Sequence, residues 1–277
     1  MKRLRRRAAP PPNERARAIG VFDSGIGGLT VVQQLARLMP HEDIVYLGDT
    51  ARTPYGTKSP ETISRYALEN AAFLLDKGIK LLVVACNSVS AVALGLLEQE
   101  LPVPVIGVIE PGAREAVRRT RNGKVGVIGT EATIASGAYT RALKSLAPEL
   151  EIYTRACPLF VPLAEEGWVD NEVARAAARR YLASLERSGI DTLVLGCTHY
   201  PLLAPVIAKV LGPKVQLVDS AGTTAQAVRG LLQRQKLLRN NGSGSLSFFV
   251  TDAPERFIKV GSLFLGQPVE SAVRLER

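Results

Sequence analysis

The 277-residue chain has two histidines, three cysteines and one tryptophan, and aromatic residues make up only 5% of it. These scarcities exclude a good deal. The cysteines, Cys86, Cys157 and Cys197, are odd in number and lack paired spacing, which argues against a disulfide framework and for a reducing compartment. There is no CxxC or HExxH arrangement, so no metal site is expected. No apolar run approaches the roughly 20 residues of a membrane helix. No apolar segment follows the basic start MKRLRRRAAPPP, as a signal peptide requires. A cytoplasmic protein without membrane association is expected.

Hydrophobic residues form 46% of the chain and charged residues 22%, enough for a large core in one domain or two modest ones. The net charge of +9 is uneven: residues 1–17 carry +6 and the rest only +3. The first 17 residues, interrupted by Pro10, Pro11 and Pro12, read as a solvated, disordered tail. The alternative reading is a basic arm that binds nucleic acid.

Short runs rich in Val, Ile and Leu fall at 19–22, 44–47, 80–85, 104–108, 124–128, 150–153, 192–196 and 215–218, the pattern of parallel strands buried on both faces. Amphipathic helical stretches such as 61–77 and 172–187 lie between them, so the fold class is α/β. The pattern occurs twice. IGVFDSGIGGLT and VGVIGTEATIASG each open a half, and KLLVVACNS and TLVLGCTHY occupy matching later places. Two similar α/β domains with mostly parallel sheets and pseudo-twofold symmetry are expected, with the active site in the cleft between them. The expected division is 18–110 plus 220–277 for the first domain and 111–219 for the second. Within the C-terminal piece a helix is expected over 225–240, a strand near 246–250 and a helix from about 254 capped by Asp252. His41, between Pro40 and Glu42, is expected to be exposed.

The stretch VFDSGIGGLT looks like a phosphate loop, but Thr30 stands where GxGxxG needs its last glycine, and the Walker lysine is missing. Asp23 also puts a negative charge at the mouth of what would be an anion site. Either Asp23 caps the following helix or it serves chemistry.

Cys86 and Cys197 each follow an apolar run, and each precedes a residue bearing a hydroxyl or amide. Both are expected near helix N-termini, where the dipole and free N–H groups favour a thiolate and a modest pKa shift makes a usable base. Pro201 suits the first turn after Cys197. Cys157, in ACPLF, reads as a buried small hydrophobe. Two thiols in mirrored places suit a racemase, in which one removes a proton from a tetrahedral carbon and the other returns one on the opposite face. A hydrolase would leave the second thiol idle. A pyridoxal cofactor would need a Schiff-base lysine, and none lies in these motifs.

DSGIGGLT, GDTARTPYG, ACNS, GVIEPGA, GVIGTEATI, CPLFVPLAEEG and LGCTHYPLL together resemble the cofactor-independent glutamate racemase family, in this order and from about Ile19 to about Ala227. The resemblance implies interconversion of L- and D-glutamate without a cofactor, and supply of D-glutamate to peptidoglycan. It implies that Cys86 acts on D-glutamate and Cys197 on L-glutamate, with Asp23 near the first thiol, His199 near the second and Glu165 supporting the histidine. It places substrate at Asp23, Ser24, Tyr55, Gly56, Asn87, Ser88, Thr198 and His199, with Thr130 and Thr133 also lining the pocket. Where the family commonly has Cys-Asn-Thr this chain has Ser88, which keeps the hydroxyl. Asp23 is expected to meet the substrate ammonium. A homodimer is expected, and the resemblance together with the basic tail admits DNA gyrase as a partner. A relative acting on aspartate or hydantoin is the alternative, and His199 after Cys197-Thr198 argues for glutamate.

Overall fold

The computed structural model describes residues 14–276. Ten strands form two sheets whose neighbours all pair parallel. The first sheet contains β1 (Ile19–Asp23), β2 (Ile44–Gly48), β3 (Leu81–Val84) and β4 (Val105–Gly107). The second contains β5 (Lys124–Gly129), β6 (Glu151–Ala156), β7 (Thr192–Gly196) and β8 (Gln216–Asp219). Two late strands, β9 (Leu246–Val250) and β10 (Val273–Arg274), extend the first sheet beside β2. The strand orders are β10-β9-β2-β1-β3-β4 and β6-β5-β7-β8.

Setting β9 and β10 aside, each sheet runs second, first, third, fourth, so the repeat read in the sequence is a repeat of topology. In both sheets the chain crosses to the other side of its first strand between the second and third. That reversal leaves a crevice at the carboxyl ends of the first and third strands. Cys86 lies just beyond β3 and Cys197 directly beyond β7, each beside such a crevice.

The inner strands are apolar because both faces are covered. All residues of β1, β3 and β7 are buried. Alternate residues serve opposite faces: Ile19 and Val21 pack in one core cluster, Phe22 in another. Burial on both faces does not extend to β6, an edge strand with no fully buried residue, and β8 and β9 are only partly covered.

Residues 1–13 of the basic tail lie outside the described residues. Within its last part, Glu14–Ala16 forms a 3-10 turn, and Arg15 Nε donates to the Lys236 carbonyl at 2.6 Å, so this part is anchored and not a free tail. Beneath it Lys80 Nζ pairs with Glu42 at 2.5 Å, both side chains buried, and donates to the carbonyls of Arg15 and Leu237. The helix expected over 225–240 instead spans Ser220–Arg234 and stops where Lys236 turns left-handed with φ 59°. Asp252 does not cap the last helix, Pro254–Leu265. The N-cap is Ala253, held left-handed at φ 50°, while Asp252 pairs with Arg274 at 3.3 Å. His41 is half-buried, its Nδ1 lying 2.5 Å from the Gly242 carbonyl oxygen. Among the described residues no helix is long and apolar enough to cross a membrane.

Candidate active site

The carboxyl ends of β1, β3, β5 and β7 converge on one cavity. Ser24 follows β1, Cys86, Asn87 and Ser88 follow β3, Thr130 follows β5, and Cys197, Thr198 and His199 follow β7. Thr53, Pro54, Tyr55 and Gly56, from the segment after β2, and Val161 complete the lining. The two thiols therefore face one space from two different sheets. That space is about 20 Å³, room for little more than a single water.

The two thiols are set differently. Cys86 is the N-cap of the short helix Asn87–Val92, as its sequence context suggested. The expected downward pKa shift does not follow. Burial and then the charge of Asp23 push its thiol up to about 12, outweighing the helix N–H of Val89. The thiol donates to Ser24 Oγ at 3.6 Å. No α-helix begins at Cys197. The turn beyond it is a 3-10 segment, Tyr200–Leu203, with Pro201 in its first turn. Its partner is His199, whose Nδ1 lies 3.8 Å from Sγ and whose Nε2 lies 3.0 Å from Glu165 Oε1. Burial opposes a charge on His199, but the bonds to Cys197 and Glu165 prevail and raise its pKa to about 10, so the ring is an imidazolium at neutral pH. Glu165 is held low, its burial overcome by His199 and by Arg256, whose Nη2 lies 3.2 Å from Oε2. The ring also packs edge-on against Phe264 at 5.1 Å.

Asp23 is not a helix cap, because Gly28 caps the following helix, Leu29–Leu38, without a side-chain bond. Nor does it line the cavity. It is wholly buried, Oδ2 accepting from Gly25 N at 3.1 Å and Oδ1 from Thr198 Oγ1 at 3.4 Å. Both carboxylate oxygens are thus engaged within the protein. Burial raises its pKa, while His199 and nearby backbone N–H groups oppose the rise.

The glycines beside it are there for close approach. A Cβ at Gly27 would collide with Thr198 Oγ1 and the His199 ring, and one at Gly28 with the Asp23 side chain. Tyr55 reaches the cavity, but its hydroxyl is committed to the Asp49 carboxylate and accepts from Asn70. Ser88 Oγ and Thr130 Oγ1 hydrogen-bond across the cleft at 2.9 Å. Thr133 stands one layer behind them, 3.0 Å from Thr130 Oγ1, and does not line the cavity. Asn87 Nδ2 is a buried donor with no partner. Cys157 is buried and packs in the core. Among the described residues, no group of three or more His, Cys, Asp or Glu side chains is arranged to hold a metal ion.

Residues 19–228 match the family described as Asp/Glu/Hydantoin racemase. The chain belongs to that family. The racemase is 60% identical over 251 residues to the glutamate racemase of Geobacter metallireducens, covering 90% of this chain and 93% of that one. Its fold superposes on the crystal structure of a Bacillus anthracis glutamate racemase isoform with a TM-score of 0.91 at 40% identity, covering 95% of this chain and 98% of that one. A glutamate racemase from Francisella tularensis, solved with D-glutamate, gives 0.89 at 40% identity with the same coverage. The two α/β domains with parallel sheets and the isomerase class expected from the sequence are met.

Several residues of the racemase site escaped the sequence reading. Thr53 and Pro54 line the cavity beside Tyr55 and Gly56, but in ARTPYG alone they carry no distinctive chemical signal. Val161 carries no chemical signal. Asp49 and Tyr139 are buried and reach the cavity residues only through hydrogen bonds to Tyr55 and Asn87, contacts that sequence spacing does not disclose.

Proposed function

We propose that this racemase interconverts L- and D-glutamate by direct proton transfer between two thiols on opposite sides of the substrate, with Cys197 and Cys86 in those roles. The observation that carries the reading is that both thiols line one cavity, at equivalent places in two sheets of the same strand order. Asn87, whose amide donor lacks a partner, with Ser24, Ser88 and Thr198 offers polar groups for the two carboxylates.

The two thiols serve in turn as base and acid. Cys197 as thiolate takes the α-proton of L-glutamate, and the C–H electron pair passes to the carbon and its carboxylate. The His199 imidazolium, steadied by Glu165, places positive charge and a proton 3.8 Å from that sulfur. Cys86, held as a thiol, gives its proton to the opposite face and is left a thiolate. The reverse transfers run from D-glutamate. Asp23, buried beside Cys86, holds charge or a proton on that side. Closure around the reacting carbon excludes water and strengthens each charge interaction.

We assign residues 18–110 plus 220–277 to one domain and 111–219 to the other, consistent with β9 returning to β2. The product D-glutamate is read as a peptidoglycan precursor. Circular dichroism of L-glutamate incubated with dialysed enzyme tests the activity: the optical signal should decay to zero, and the α-hydrogen should exchange with deuterium oxide. Faster racemisation of L-aspartate than of L-glutamate, or full turnover by Cys197→Ala, would overturn the reading.

A further inference from the structure

Asn87 opens the helix after β3, against the first sheet, while Tyr139 belongs to the helix Ala138–Leu146, packed on the second. Tyr139 Oη donates to Asn87 Oδ1 at 2.7 Å, and both residues are buried, at 2% and 3% exposure. An amide has one acceptor end and one donor end. With the acceptor end taken by Tyr139, the donor end is fixed, and that end is the unpartnered Nδ2 of a residue lining the cavity. We propose that Tyr139 is a positioning residue that holds the Asn87 amide donor-first toward the substrate, so that this position accepts a carboxylate oxygen and rejects a donor.

The surroundings of the phenol support the direction of this bond. The Asn87 amide oxygen can only accept, so the phenol supplies the proton of this bond. Burial raises the Tyr139 pKa, so that proton is retained throughout the working range. Gly112 makes room for this arrangement, since a Cβ there would come within 3.2 Å of Ser220 Cβ and 3.5 Å of the Tyr139 oxygen. The link from Tyr139 to Asn87 thus crosses from one sheet's helices to the other's and ends on an unpartnered donor of a cavity-lining residue.

The inference rests on the glutamate reading above, and a double-mutant cycle of Tyr139→Phe and Asn87→Ala separates the two. Tyr139→Phe keeps the ring and removes only the hydroxyl. Its KM for both glutamate isomers should rise about 3–10-fold, the worth of one hydrogen bond, with kcat changed less than about twofold. Asn87→Ala should raise KM further, and the double variant should match Asn87→Ala alone, because Tyr139 acts through Asn87. Asn87→Asp keeps an acceptor for Tyr139 but loses the donor, and its KM should rise at least as much as that of Asn87→Ala. This second variant carries the test if Tyr139→Phe fails to fold. Effects that multiply in the double variant, an unchanged KM in Tyr139→Phe, or an Asn87→Asp enzyme that binds like wild type would each overturn the role of Tyr139. A wild-type chain inactive on glutamate would overturn this inference and the activity together.

Discussion

Replacing Glu165 by glutamine would strip the charge from the 3.0 Å contact with His199 Nε2 while keeping its length and shape. A hydrogen bond to a charged partner contributes about 1.5–3 kcal/mol and a neutral one about 0.5–1.5 kcal/mol. The difference, about 1–2 kcal/mol, corresponds to about one pKa unit. His199 should therefore fall from about 10 to roughly 9 in Glu165→Gln. The chain has two histidines, so proton NMR of the ring C–H signals resolves the titration directly, and His41→Gln assigns the other resonance. The folded value lies above the ordinary 6.5, so the contribution is present in full below about 6.5 and is lost as pH rises toward about 10. Glu165→Gln should lower the upper edge of that window, seen as an earlier alkaline fall in melting temperature. A wild-type His199 titrating near 6.5, or a titration unmoved by the substitution, would refute the arrangement of charge on the Cys197 side.

Other perturbations follow from the geometry. Gly27→Ala places a methyl against Thr198 and His199, and a displacement of about 1 Å at the site should lower kcat/KM about 10²-fold. Near wild-type kinetics would show that the ring and hydroxyl are free to move. Lys80→Met leaves the buried Glu42 carboxylate without its cation and should cost about 3–5 kcal/mol in denaturant unfolding. A loss below about 1 kcal/mol would mean the pair is not the clasp that the contacts imply. Asp23→Asn removes the nearby negative charge, so the Cys86 thiol should ionise at lower pH than about 12, read from thiolate ultraviolet absorbance. An unchanged onset would remove Asp23 from the electrostatics of that thiol.

The inner strands and both cavity thiols were legible in the sequence because an apolar run buried on two faces, followed by a cysteine and a polar turn, is a local pattern. β6 was less legible because an edge strand need not be apolar. The last-helix cap was misread because Asp252 bonds to Arg274, a partner 22 residues away that spacing does not disclose. The raised thiol at Cys86 was missed for a similar reason. A local rule about helix N-termini favours the thiolate, but burial and Asp23, brought in from another strand, reverse the sign. Asp23 itself was found by its odd place in a glycine turn, yet its removal from the cavity surface depends on Thr198, far along the chain. Tyr139 has no motif of its own and becomes meaningful only beside Asn87.

The return of β9 to the first sheet has a consequence for how the chain is born. Its partner β2 leaves the ribosome about 200 residues earlier, since Ile44 pairs with Leu246. The second sheet, by contrast, draws all four strands from 124–219. It is complete in sequence while the edge of the first sheet, on the β2 side, still lacks its neighbour. During synthesis that exposed edge, a ready template for pairing with another chain, waits for the last tenth or so of the protein. The order of translation thus leaves the first sheet incomplete for longer, even though it supplies Cys86 and is the first to begin.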